Sequence, residues 1–194
     1  MIDLLKHALD EEITAGGFSD TLRRHANDVP DDDVEHLATV LVPFLRSVPD
    51  ALAWALGVSK DPRCGRSVAF ATGSILHYLF DDEDLLPESS FGTLGLLDDA
   101  YLVHGFVATL ARTFPFAEPT AVYSAPDGRA FEIVASLLPE GVSQSLLRTC
   151  ESTVQVAQAL FPPAQGNVAA DSLYRPEIRV AKAARAASGR AGAR

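Results

Sequence analysis

Cysteine is almost missing from this chain: Cys64 and Cys150 are the only two in 194 residues, and no CxxC pair occurs. That excludes a disulfide framework and a thiolate metal knuckle, and it makes a reducing, cytoplasmic compartment the expectation. Long apolar runs are missing too. No stretch reaches eighteen apolar residues free of charge, so no transmembrane segment is expected. The start, MIDLLKHALDEE, is acidic too early and its apolar run too short for a secretory leader. There is no GxGxxG, no P-loop and no serine in a nucleophile elbow, which leaves nucleotide binding and serine hydrolysis without support. Apolar–polar alternation of strand type is also absent.

Basic residues are scarce. Lys+Arg is 16 against 26 for Asp+Glu, a formal net charge of -10. A body of this sign offers no bulk nucleic-acid surface and little attraction to an anionic membrane. The imbalance is local. Residues 165–194 hold six basic side chains (Arg175, Arg179, Lys182, Arg185, Arg190, Arg194) against Asp171 and Glu177, a tail of +4 on a body of -14. The tail is Ala/Gly/Arg-rich with little to bury, and it reads as disordered.

What is present is helical. With 47% hydrophobic residues and enough length for one core, residues 1–164 read as a single all-α bundle of six or seven helices. Ile2, Leu5, Leu9 and Ile13 share one helical face, and Gly16-Gly17 ends it. Asp31, Asp32 and Asp33 open a helix where acids suit the positive end of its dipole. Pro43 should kink or end that helix. Pro49-Asp50 starts a short one. Asp61-Pro62 reads as a capped start of a helix to about Phe80, apolar almost all round and so central, with Gly73 admitting a close neighbour. A partner of similar character spans about 94–114. Together, 62–114 form a central antiparallel helical hairpin. After Pro126-Asp127 come a short helix and then a clean stripe from Val142 to Phe161, ended by Pro162-Pro163.

The hairpin's turn is the most specific pattern. From His77 to His104 the chain carries seven acids: Asp81, Asp82, Glu83, Asp84, Glu88, Asp98 and Asp99. Carboxylates beside apolar surface need water, donors or a cation. In the first reading they are structural, with Asp84 capping the turn and Asp98 and Asp99 favouring the second helix's start. In the second, Asp84, Glu88, Asp98 and Asp99 converge on Mg²⁺ or Ca²⁺, although EF-hand spacing is absent. His77 and His104 flank the turn and, if they meet, offer a transition-metal pair. Cys64, beside Arg63 and Arg66, stands where a thiol pKa is lowered, but the sequence places no base near it and an incidental cysteine is the preferred reading.

The residues Asp84, Pro87, Glu88, Gly95, Asp98 and Asp99 resemble the signature of the YkvA-like domain of unknown function over about residues 73–110. The chain departs from that pattern at Asp82, where the family usually has proline, and in a slightly longer turn. The resemblance implies a helical hairpin and no activity. The function expected is that of a non-catalytic cytoplasmic adaptor or regulatory module acting through protein contacts. The basic tail would engage an acidic partner, nucleic acid or the body of a second copy of the chain. The alternative is a divalent-metal-dependent hydrolase built on the acidic turn.

Overall fold

The computed structural model describes residues 2–15, 18–25, 31–79, 95–117 and 123–162. Within them the chain is all-α, with no strand. The helices are α1 (Ile2–Ala15), α2 (Phe18–His25), α3 (Asp31–Arg46), α4 (Val48–Val58), α5 (Gly65–Leu79), α6 (Leu96–Thr113), α7 (Gly128–Leu137) and α8 (Val142–Leu160). The acidic turn at 80–94 and the basic tail lie outside the described residues.

The core is organised on α6. Its apolar side chains point in every direction, and twelve of its eighteen residues are buried, so it must be surrounded. Helices α3, α4, α5, α7 and α8 all pack on it. Leu102, Phe106 and Leu110 are fully enclosed, each burial worth about 1.5–3 kcal/mol. The closest approach is made at Gly105, where a Cβ would stand 2.8 Å from Leu147 Cδ2 of α8. Both expected legs of the hairpin are present as α5 and α6, and they touch. Helix α8 packs against each of them.

Three local expectations are corrected. The helix expected from Asp61-Pro62 begins four residues later, at Gly65. Asp61 instead folds a turn, because its carbonyl accepts from the amides of Cys64 and Gly65 and its carboxylate takes Arg63. Gly73 admits no neighbour, since nothing lies within 4 Å of where its Cβ would be. Finally, α5 is not enclosed. Val68, Ala71 and Ile75 are buried, but Ala69, Phe70 and Gly73 face outward.

Pro43 sits inside α3 without ending it. The helix breaks at Ser47, just before Pro49 near the start of α4, because Pro49 has no N–H for the carbonyl one turn back. Asp33–Val58 is long and apolar enough by composition to cross a membrane, and half of that window is buried inside the fold. Val34, Leu41, Phe44, Leu45, Leu52 and Val58 spend their apolar surface on the bundle core.

Candidate functional site

His104 is the polar centre of the core. It lies on α6, 2% exposed, and both ring nitrogens have protein partners. Nε2 is 3.0 Å from the Phe44 carbonyl and 3.2 Å from Ser47 Oγ. Nδ1 is 2.7 Å from the Tyr123 hydroxyl. A carbonyl only accepts, so Nε2 carries the proton, and Nδ1 accepts from Tyr123 O–H. Ser47 Oγ also donates to the Phe44 carbonyl, at 2.8 Å. The ring thus closes the gap at the α3–α4 break, where the Phe44 carbonyl needs donors.

This geometry has a chemical consequence. Ser47, His104 and Tyr123 are spaced as a nucleophile, base and orienting group would be, but the protonated Nε2 faces Ser47 and cannot take its proton. Burial pushes the His104 pKa down from 6.5 to about 4 and the Tyr123 pKa up, so both stay neutral near pH 7. The cluster ties together three segments rather than activating a hydroxyl.

The sequence-predicted site residues separate into two groups. Asp84 and Glu88 lie outside the described residues. Asp98 is fully buried in the first turn of α6, Asp99 is partly buried beside it, and neither is without a partner. His77 is exposed on α5, whereas His104 is committed to Phe44, Ser47 and Tyr123. Among the described residues no group of three His, Cys, Asp or Glu side chains could hold a metal. Cys64 does not carry the lowered pKa that its two arginines allow. Burial, with Asp61 nearby, raises its pKa to about 11 despite Arg63, and burial raises Cys150 to about 12. Neither is a nucleophilic thiolate.

An outward feature was missed by the sequence reading. Four large apolar side chains stay exposed among the described residues, and three of them (Phe70, Val156 and Leu160) lie on the packed pair α5 and α8. The Phe161 ring at the end of α8 is 5.7 Å from that of Phe70 on α5, and Val156 and Leu160 stand one turn apart on α8. The Phe161 carbonyl accepts from the buried Ser67 hydroxyl, which pins the end of α8 to α5. The Arg66 guanidinium lies 5.0 Å over the Phe161 ring. Arg66, Leu160 and Phe161 share a groove of about 400 Å³. A signal for this edge did exist. Arg66, Phe70, Gly73 and His77 fall at i, i+4, i+7 and i+11, so Phe70 shares its face with polar residues. No protein-family model, curated protein or solved structure matches the chain.

Proposed function

We propose that this protein is a non-catalytic helical module that works by binding another protein, and that the exposed edge of α5 and α8 is the surface it offers. The observation that carries this reading is the clustering of Phe70, Val156, Leu160 and Phe161 beside Arg66. Isolated exposed apolar residues are ordinary, but a joined set with a polar rim is the usual form of a protein contact. The aromatic and arginine anchors are the residue types that dominate such contacts. The neutral, carbonyl-bound His104 supports a structural role for the Ser47–His104 pair.

The test is a photo-crosslinking residue placed at Val156 in the host cell, with a second at exposed Glu132 of α7 as control. The reading expects a discrete adduct from position 156, lost on Phe70→Asp, and none from position 132. Equal adducts from both positions, or an adduct that survives Phe70→Asp, would remove it. The metal-dependent hydrolase makes a separate prediction: millimolar Mg²⁺, Ca²⁺, Mn²⁺ or Zn²⁺ should raise the melting temperature over EDTA, because a ligand of the native state stabilises it.

A further inference from the structure

A second feature adjoins the segment that holds His104, because Phe44 and Ser47 line it. A half-open cavity of about 470 Å³ separates the Pro43 turn of α3 from the start of α7. That volume is in the range of small-molecule sites. Its apolar wall is Val40, Pro43, Phe44 and Ala130. Pro43 has no N–H, so the Thr39 carbonyl one turn earlier lacks its helical donor, and Thr39 lines the same cavity. Across from it are two opposite charges, Asp127 and Arg129. Asp127 caps α7 by accepting from the Arg129 amide at 3.2 Å through Oδ1, which leaves Oδ2 for another donor. The guanidinium of Arg129 has no ion pair among the described residues. Ser47 fixes the wall, because His104 and the Phe44 carbonyl hold its hydroxyl in place.

We infer that this cavity binds a small zwitterion with an apolar body: an aromatic or branched-chain amino acid, or a dipeptide of such residues. Each end of such a molecule has a partner. Its carboxylate meets the Arg129 guanidinium, which suits carboxylates in a forked geometry. Its ammonium meets the Asp127 carboxylate and the Thr39 carbonyl, both pure acceptors. Its side chain covers Phe44, Val40 and Pro43. A simple fatty acid would leave Asp127 facing its carboxylate, and a simple amine would leave Arg129 unmatched. The inference is independent of the α5–α8 edge.

The experiment is an amide NMR titration of the full chain with L-leucine, L-phenylalanine and leucyl-phenylalanine, alongside N-acetyl-phenylalanine and phenylalaninamide. The zwitterions should move resonances at Thr39, Ala130 and Arg129, and each blocked analogue, lacking one charge, should bind about tenfold more weakly. Arg129→Gln should weaken the zwitterions by about tenfold and leave phenylalaninamide unchanged. Asp127→Asn, which keeps a capping side chain, should do the converse for N-acetyl-phenylalanine. Binding of the dipeptide but not the free amino acids would assign the peptide source, and the reverse the amino acid. No perturbation by any probe, blocked analogues that bind as well as zwitterions, or an unchanged affinity in Arg129→Gln would each overturn the inference.

Discussion

Lowering the pH should destabilise the fold through His104 in a way that can be calculated. Unfolded, the imidazole titrates near 6.5; folded, burial holds it near 4. The folded state therefore binds fewer protons between these values. Stability is complete above pH 6.5 and is lost as pH falls toward 4. At 1.36 kcal/mol per pKa unit, the loss is about 2 kcal/mol at pH 5 and about 3 kcal/mol at pH 4. That is a large part of a domain's typical 5–15 kcal/mol. Other groups titrate over the same range, so the comparison is with His104→Gln, whose amide can donate to the Phe44 carbonyl and accept from Tyr123. Urea unfolding of both proteins at pH 7.5, 6 and 5 isolates the histidine. The wild-type advantage should shrink by about 2 kcal/mol between pH 7.5 and 5, with unchanged denaturant slopes. A difference independent of pH would mean that the ring is hydrated or charge-paired in the native state, and the account of the polar centre would fail.

Other perturbations test the same core. Tyr123→Phe should cost about 1–3 kcal/mol, because Nδ1 loses its donor while remaining buried; chemical denaturation measures this, and imidazole ¹⁵N shifts should keep the proton on Nε2. Gly65→Ala should cost more than Gly105→Ala. Its new Cβ meets the Ser59 backbone carbonyl, which cannot move away, whereas at Gly105 the nearest atom is the flexible end of Leu147. The expected losses in melts are about 3 kcal/mol and about 1 kcal/mol, the second partly offset by the better helix propensity of alanine. Both thiols should resist an aromatic disulfide reagent at pH 8 in the native chain and react at once in denaturant, since a pKa of about 11 at Cys64 leaves about one thiolate in a thousand.

Much of the fold was legible because its signals are local. Val142 to Leu160 carries a regular apolar stripe, and the helix there has the expected bounds. Asp127 announces α7 by its capping chemistry. The character of α6 was readable from residues that are apolar on all sides. The rest depends on contacts distant in sequence. Tyr123 and Phe44 are 19 and 60 residues from His104, and no spacing rule connects them. The same limit explains Cys64, where two neighbouring arginines suggested activation but enclosure outweighs them. It also explains α5. Composition counts apolar residues without saying which are covered, and Phe70 reads the same whether it fills a core or faces outward. Gly73 and Gly105 differ for that reason as well, since only the second has a helix pressed against it.

The role proposed for the α5–α8 edge is tested most directly by the affinity of the partner crosslinked at Val156 for the purified chain, measured by titration calorimetry with wild type and with Phe70→Asp/Leu160→Asp. Both positions are exposed, so the double variant should keep the circular dichroism spectrum of the native fold. The account predicts a loss of at least about thirtyfold in affinity, two anchors at more than 1 kcal/mol each. An affinity equal to wild type in the folded double variant would contradict it.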